Sequence, residues 1–311
     1  MWIKACIISF IISAIAQPFL IPFLRKLKFG QTILEDGPTW HGKKQGTPTM
    51  GGIAFIVSTV IASLFFVRDL RGSAILLCGV LFGVIGFVDD YIKVVKKRNK
   101  GFSASQKFSA QIVVSLAYAA FLYFAFGQTA TKIPFTDISL DLGIFYIPFV
   151  MLVLLATTNS ANLTDGLDGL AASVGSIISL FFALATAIIC SEASVASGAL
   201  AGGLLGFLIY NAYPAKVFMG DTGSLFIGGI ISAVAISAGM ELFIIISAFV
   251  FLFEALSVII QVGVYKKTKK RVFKMAPVHH HFEMCGWKET KVVAVFSVIT
   301  LVLCILCYIG L

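Results

Sequence analysis

The chain has 311 residues, of which 59% are hydrophobic and 13% are charged, and its mean hydropathy is +0.97. This composition excludes a water-soluble globular domain and indicates a membrane protein that crosses the bilayer several times. The formal net charge is +9. Because Lys and Arg lie in short segments between apolar runs, the charge indicates a fixed orientation in the membrane and an anionic substrate or lipid headgroup, and we expect no nucleic-acid partner.

Ten apolar windows of about 18–24 residues follow one another along the chain, and each is long enough to cross a bilayer. The windows lie near residues 2–24, 49–67, 73–90, 107–126, 143–160, 168–190, 194–213, 221–240, 241–264 and 291–310. We therefore predict an all-α polytopic membrane protein with about ten transmembrane helices. Residues 1–16 resemble a secretory signal peptide, but the apolar run continues to Leu24, which favours an uncleaved first helix.

The basic residues are divided unequally between the two sides of this arrangement. With their short flanks, the segments on one side hold 20 of the 24 Lys and Arg residues. The positive-inside rule assigns that side to the cytoplasm, so both termini are predicted to lie on the extracytoplasmic side. The cytoplasmic segments are 25–48, 91–106, 161–167, 214–220 and 265–290.

Five aspartates lie at the predicted cytoplasmic ends of apolar windows. Asp89 and Asp90 end one window, Asp165 and Asp168 fall in a glycine-containing segment, and Asp221 begins another window. A carboxylate at the centre of a membrane helix costs about 2.5–3.5 kcal/mol on insertion scales. Five such residues on one side indicate one polar site, and acids clustered beside lysines are typical of sites that hold a divalent cation against phosphates. The pattern predicts a membrane-embedded enzyme of phosphoryl transfer.

The first acidic motif, VDDYIK, covers residues 88–93. If a helix continues through it, Asp89 and Lys93 are four residues apart and share a face, which Lys97 continues. The lysines can then neutralise phosphate oxygens while the acids bind a cation or a proton. The alternative is a helix-end ion pair with a positive-inside anchor, but the further acidic turns on the same side favour a site.

The second acidic motif, NLTDGLDG, covers residues 162–169. Asn162, Asp165 and Asp168 are three residues apart, so one helical face can present all three. Alternatively, the glycines form a tight turn whose backbone approaches a phosphate or nucleotide, or the segment is a plain capped turn. The later ligand positions of a calcium loop are missing.

The third acidic motif, FMGDTGS, covers residues 218–224 and resembles the aspartic-protease signature, although a protease does not account for the lysines. Two further motifs are GTPTMGG at 46–52 and PVHHHFE at 277–283. Successive residues on a helix point about 100° apart, so three consecutive histidines cannot all bind one metal. We expect one or two of them to meet an anionic substrate.

Together and in this order, GTPTMGG, VDDYIK, NLTDGLDG, FMGDTGS and PVHHHFE resemble the bacterial phospho-N-acetylmuramoyl-pentapeptide transferase family. This family is a branch of the polyprenyl-phosphate N-acetylhexosamine-1-phosphate transferase superfamily. The acidic motifs resemble the whole superfamily, whereas GTPTMGG and PVHHHFE are more specific to the muramoyl-pentapeptide branch. The resemblance covers essentially the whole chain and implies a single integral-membrane catalytic domain, residues 1–311, with its active-site loops in the cytoplasm.

The resemblance implies transfer of phospho-N-acetylmuramoyl-pentapeptide from its UDP-linked form to undecaprenyl phosphate in the bacterial cytoplasmic membrane, with Mg2+, giving lipid I and UMP. A homodimer is also implied. Asp221 would be the magnesium ligand. The implied catalytic residues are Asp89, Asp90, Asp168 and His280. The implied substrate-binding residues are Lys44, Lys93, Lys97, Asn162, Asp165, Asn211, Phe218, His279 and His281.

Three other functions are compatible with parts of the sequence. A transferase using UDP-N-acetylglucosamine on the same lipid would share the acidic motifs, but GTPTMGG and PVHHHFE argue against it. A transporter of an anionic substrate would use broken helices, which Pro148, Pro214 and the glycine-rich windows permit. An intramembrane aspartyl protease would need two facing acids and no magnesium.

Overall fold

The computed structural model describes residues 1–27, 46–95 and 101–311. Within these ranges the chain forms twelve α-helices, a short 3₁₀ turn at Gly143–Phe145 and one two-stranded sheet. The helices are α1 (Trp2–Lys26), α2 (Gly52–Leu64), α3 (Leu70–Val95), α4 (Ala104–Phe126), α5 (Tyr146–Thr164), α6 (Leu170–Ala185), α7 (Ser191–Asn211), α8 (Gly220–Ser237), α9 (Phe243–Ser247), α10 (Phe249–Thr268), α11 (Val278–Met284) and α12 (Glu289–Ile309). The strands are β1 (Ala130–Lys132) and β2 (Ser139–Asp141).

Eight of the described helices are long and apolar enough to cross a membrane, namely α1, α3, α4, α5, α7, α8, α10 and α12. This confirms the prediction of an all-α polytopic membrane protein. Helices α2 and α6 have 13 and 16 residues, so they rise only about 20 and 24 Å, against a hydrocarbon core of about 30 Å. Each predicted window contains a helix, while the count of ten complete spans and the side on which the termini lie stay predictions.

Two helices rich in small residues form the centre of the bundle. In the apolar stretches of α7 and α8, 78% and 89% of the residues are buried, whereas the share is 28% in α1, α4 and α12 and 22% in α10. Helix α1 packs along α7, and α3 packs along α8. Small residues let helix backbones approach closely, which matters where lipid is as apolar as the side chains. The outer helices are therefore the ones that turn their large apolar side chains towards lipid.

The contact between α3 and α8 brings two of the acidic motifs together. Gly86 lies against the first turn of α8, and a Cβ atom at this position would overlap the carbonyl group of Asp221. The absence of a side chain at Gly86 therefore allows the last turns of α3, with Asp89 and Asp90, to lie directly beside the N-terminus of α8.

A small β-hairpin occupies the end of the bundle opposite the aspartates, in a segment for which no strand was predicted. Strands β1 and β2 pair antiparallel. The Lys132 N–H donates to the Gly239 carbonyl at 2.8 Å, and the Phe135 N–H donates to the Gly310 carbonyl at 3.0 Å. The hairpin therefore fastens the chain after α8 and the end of α12 to the segment between α4 and α5.

Replacing Gly86 with Ala should force α3 away from α8. The added methyl group meets backbone atoms of Asp221, which cannot rotate away, so we expect a loss of about 1–3 kcal/mol in stability. Thermal unfolding of the detergent-solubilised protein measures the loss. Gly83→Ala is the matched control on the same helix, because its methyl group would approach its nearest neighbours only to 3.4 Å. Equal unfolding temperatures for the two variants would contradict this packing.

Candidate active site

The candidate active site lies where α3 ends and α8 begins. The Lys93 Nζ atom lies 2.7 Å from Asp89 Oδ2 and 2.8 Å from Asp221 Oδ2. Lys107, on α4, places its Nζ atom 2.8 Å from the same Asp221 oxygen and 3.7 Å from Asp89 Oδ2. Two ammonium groups thus balance two carboxylates at a position surrounded by apolar helices, where a charge without a partner is costly.

The remaining oxygens of these two carboxylates are also hydrogen-bonded. Asp89 Oδ1 accepts from the Phe102 N–H at 2.7 Å, and Asp221 Oδ1 accepts from Asn162 Nδ2 at 2.8 Å. Asn162 also donates to Ser224 Oγ at 2.8 Å. Because every oxygen has a partner, both carboxylates are held in one orientation by groups from α3, α4, α5 and the segment before α4.

Asp90 has a different environment from its neighbour Asp89. It is 5% exposed, and it accepts from the N–H groups of Asp221 at 3.2 Å and Thr222 at 2.9 Å and from Thr222 Oγ1 at 2.7 Å. The first N–H groups of a helix have no partner within the helix, and the positive end of the helix dipole favours a negative charge there. The geometry places Asp90 as the acceptor that fixes the first turn of α8.

Lys107 is a site residue that sequence reasoning missed. It opens an apolar window, and in the sequence this position is typical of the edge of a membrane helix. The available signal was a single lysine within a membrane helix, which is costly unless the side chain is paired. Its position is set by a capping box, in which the Ser103 side chain accepts from the Gln106 N–H and the Gln106 side chain accepts from the Ser103 N–H.

A cavity of about 440 Å³ lies beside the paired charges. It is lined by Asp89, Lys93, Gly101, Phe102, Ser103, Ala104, Lys107, Asn162 and Asp221. The cavity has the size of a small-ligand site, and charged side chains and backbone surround it. Paired lysines and carboxylates in its lining suit a phosphate group that arrives with a metal ion.

The donor set fits a magnesium ion. Asp89 and Asp221 direct carboxylate oxygens at one shared cationic group, the Lys93 ammonium. Mg2+ is usually held by one or two carboxylates, with waters and substrate phosphates completing its octahedral shell. No group of three or more His, Cys, Asp or Glu in the described ranges is arranged to hold a metal ion. The two carboxylates of Asp89 and Asp221 fit a magnesium site that substrate phosphates would complete.

The NLTDGLDG motif is divided between a helix and a turn. Helix α5 ends directly before Asp165, and Gly169, with a φ of +79°, precedes α6. Asn162 therefore reaches Asp221 from the last turn of α5, whereas Asp168 lies beyond that helix. Of the predicted alternatives, the glycine-containing turn is present, and a single helical face carrying all three polar residues is not.

The buried polar residues after α5 fasten this turn to its neighbours. The Asp168 N–H donates to Glu289 Oε1 at 2.5 Å, and Asp168 Oδ2 accepts from the Ala215 N–H at 2.9 Å. Asn211 accepts from the Gly169 N–H at 3.1 Å, and its own amide donates to a carbonyl shortly before α8 at 2.9 Å. Asp168 and Asn211 are only 4% and 2% exposed. In this geometry both residues hold the turn against the segment that leads into Asp221.

The three histidines lie on α11 and turn towards different partners. His279 is 1% exposed, and its Nδ1 atom lies 3.1 Å from Glu254 Oε2. His280 Nδ1 lies 2.8 Å from Glu283 Oε2. His281 Nδ1 accepts from a backbone N–H of the preceding loop at 3.1 Å. The three rings therefore have different polar partners, although the centroids of the His279 and His280 rings lie only 4.1 Å apart.

The GTPTMGG motif pairs through its backbone with the segment directly before α8. The Phe218 N–H donates to the Pro48 carbonyl at 2.8 Å, and the Gly51 N–H donates to the Phe218 carbonyl at 2.8 Å. The Gly52 N–H donates to the Met219 carbonyl at 3.2 Å. Backbone hydrogen bonds from the GTPTMGG motif therefore help to hold the first turn of α8 in place.

Two of the predicted substrate-binding residues, Lys44 and Lys97, lie outside the described residues. Lys93 and Asn162 contact Asp221 directly. Asp165 is half-buried at the end of α5, and Phe218 is half-buried directly before α8. The functional roles assigned to these residues stay predictions.

Two segments of the chain match models of known protein families. Residues 73–239 match the model of glycosyl transferase family 4, and residues 44–56 match the first signature of phospho-N-acetylmuramoyl-pentapeptide-transferase. The first match contains the Asp89 and Asp221 motifs, and the second contains the whole of GTPTMGG.

Three relatives are similar over nearly their whole length, and each is named phospho-N-acetylmuramoyl-pentapeptide-transferase. The protein of Clostridium botulinum (strain Alaska E43 / Type E3) is 50% identical over 99% of this chain and 96% of its own. That of Acetivibrio thermocellus is 50% identical over 98% and 94%, respectively. That of Clostridioides difficile (strain 630) is 49% identical over 96% and 94%. With half of its residues shared across the whole membrane bundle, the chain belongs to the phospho-N-acetylmuramoyl-pentapeptide transferase family.

Proposed function

We propose that this protein transfers phospho-N-acetylmuramoyl-pentapeptide from its UDP-linked form to undecaprenyl phosphate, giving lipid I and UMP. The proposal rests on one observation. At the end of the membrane helices, Lys93 and Lys107 each form ion pairs with both Asp89 and Asp221. Such a site can meet a phosphate that is anchored in lipid and a nucleotide that arrives from water. The names and the coverage of the relatives support the choice of the two substrates.

The reaction is a displacement at phosphorus. An oxygen of the lipid phosphate attacks the phosphorus that carries the sugar, and the bond from that phosphorus to the UMP oxygen breaks. The attacking oxygen is already anionic near neutral pH, so proton removal contributes little. Most of the catalysis should come from holding both phosphates in line and stabilising the charge that develops as UMP leaves.

The charged side chains have separate roles in this proposal. Lys93 and Lys107 stabilise the negative charge on the phosphoryl oxygens and on the leaving UMP. Asp89, whose oxygens are engaged by Lys93 and the Phe102 N–H, orients Lys93 and the lipid phosphate. Asp221, with Asp89 beside it, would hold Mg2+, which supplies Lewis-acid stabilisation to the phosphoryl oxygens when bound.

The surrounding predicted residues complete the proposed assignments. Asn162 and Asp165 face the nucleotide side, Asp168 lies close to the reacting groups, and the uridine is received near Asn211 and Phe218. Of the three histidines, His280 takes part in catalysis and His281 in substrate binding. Lys44 and Lys97 bind phosphate groups.

We also propose that the active-site end of the bundle faces the cytoplasm of a bacterial cell and that both termini lie outside. The segments on the active-site side hold 20 of the 24 Lys and Arg residues. The whole chain then acts as one integral-membrane catalytic domain. A homodimer is the assembly that the family implies.

Replacing Asp221 with Asn should abolish a magnesium-dependent reaction. We expect purified wild-type protein in detergent to release UMP from UDP-N-acetylmuramoyl-pentapeptide when undecaprenyl phosphate and Mg2+ are present, and to stop when EDTA is added. In Asp221→Asn the rate should fall by about 100- to 1000-fold, as when one group that stabilises the transition state is removed. Asp141→Asn, on the exposed hairpin, is the control and should keep full activity.

The donor used in this assay distinguishes the alternatives. UMP release from UDP-N-acetylglucosamine would keep the chemistry and change the substrate. If folded wild-type protein releases UMP from neither donor, the transferase proposal is wrong, and the transporter and the protease become the leading functions.

Replacing Lys107 with Gln should lower kcat by about 100-fold while the KM for the UDP-linked substrate changes little, because the ammonium group acts chiefly on the developing charge. Lys107→Arg keeps the charge and should retain more activity than Lys107→Gln. Steady-state kinetics with both substrates varied measure the effect. Lys4→Gln, at the exposed start of α1, serves as the control. An unchanged kcat in Lys107→Gln would remove this residue from the proposed mechanism.

Replacing Asp90 with Asn should reduce stability as well as activity. The new amide group must face the N–H donors of Asp221 and Thr222, so we expect a loss of about 1–3 kcal/mol and a lower unfolding temperature. Asp89→Asn, which leaves the first turn of α8 fully bonded, should lose activity with a smaller loss of stability. Unfolding temperatures that fall equally in the two variants would contradict the distinct position of Asp90.

A further inference from the structure

Glu254 is a buried carboxylate that the proposed mechanism does not use. It lies in the first half of α10 and is 0% exposed. Its Oε1 atom has no hydrogen-bond partner among the described residues. A carboxylate within a membrane helix is costly, and residues of this kind usually serve a function. The residues that contact the Glu254 carboxylate therefore indicate its function.

The ring of His279 is the neighbour of this carboxylate. Glu254 Oε2 lies 3.1 Å from His279 Nδ1, close enough for an ion pair although the two groups are not aligned as a hydrogen bond. The same oxygen accepts from the His279 backbone N–H at 3.4 Å. One carboxylate oxygen therefore holds both the ring and the start of α11.

The other side of the ring supports the NLTDGLDG turn. A Cβ atom at Gly166 would overlap His279 Nε2, so the backbone of the turn rests directly on the imidazole. His279 is 1% exposed, and its Nε2 atom has no hydrogen-bond partner in the described ranges. A ring enclosed between α10 and this turn is out of reach of a substrate that enters from the cytoplasm.

The turn leads directly to the candidate active site. It follows Asn162, which donates to Asp221. Its far end is held by the hydrogen bonds of Asp168 to Glu289 and Ala215. The NLTDGLDG segment is fixed at Asn162 and at Asp168. If the His279 ring moved, the backbone at Gly166, between these two points, would move with it.

We propose that Glu254 is a positioning residue for the transfer reaction: it holds the His279 ring beneath Gly166, and the ring sets the position of the turn that binds the nucleotide. This inference rests on the proposed function and changes the predicted part of His279, which acts through the turn without touching the substrate. Glu254 and His279 then form one unit with Gly166.

The test is a set of double-mutant cycles in the UMP-release assay. Glu254→Ala and His279→Ala should each raise the KM for the UDP-linked substrate by about 10- to 100-fold, the size of effect that a misplaced binding group produces, with little change in the KM for undecaprenyl phosphate. In the His279→Ala background, Glu254→Ala should have little further effect. Gly166→Ala should be severe alone and milder together with His279→Ala, since the overlapping ring is then absent.

Glu241→Gln is the matched control. Glu241 is also a nearly fully buried carboxylate, 1% exposed, but it bonds to Tyr146 near the hairpin, at the end of the bundle away from the site. This variant should keep both KM values, which separates positioning from a general cost of altering a buried acid. Thermal unfolding of each variant checks that the protein is folded.

Additive effects of Glu254→Ala and His279→Ala, or a Gly166→Ala defect that His279→Ala does not relieve, would overturn the proposal and return His279 to direct contact with the substrate. A loss of unfolding temperature with both KM values unchanged would overturn it as well. Failure of the proposed function is distinguishable, because the wild-type protein and Glu241→Gln would then also release no UMP.

Discussion

The structure depends on the neutralisation of Asp89 and Asp221 by two lysines at the edge of an apolar bundle. Carboxylates at this depth are unfavourable unless cations lie beside them, and Lys93 and Lys107 come from two different helices to meet this need. The same arrangement creates a position where cationic groups and acidic oxygens face one small cavity. What makes the polar end of the bundle stable is therefore also what makes it suitable for phosphate chemistry.

The central helices are built to keep this arrangement in place. Gly86 permits α3 to lie against the first turn of α8, and Asp90 then accepts the otherwise unpaired N–H groups of that turn. The GTPTMGG motif holds the same turn from the side of α2. Two adjacent aspartates thus have distinct surroundings, one beside the lysines and one beneath the helix end, although nothing in their sequence context separates them.

Much of the fold was predictable from the sequence, because apolar length alone identifies membrane helices. The hairpin was not, since β1 and β2 have only three residues each and depend on contacts with the chain ends of other helices. The acidic motifs predicted one shared polar site, and Asp89, Asp90 and Asp221 do lie together. Lys107 was missed because pairing across helices leaves no local pattern. The relation between Glu254 and His279 was hidden for the same reason: the two residues are 25 positions apart in the chain.

The shortness of α2 has a consequence for the membrane around the protein. Helix α2 begins at Gly52, which lies beside Met219 and Gly223 and therefore at about the depth of Asp221. The helix is about 20 Å long, whereas the hydrocarbon core of a bilayer is about 30 Å thick, so α2 alone is too short to cross it. A hydrophobic segment this short is expected to thin the bilayer beside it. Such thinning would bring lipid headgroups closer to the depth of Asp89 and Asp221.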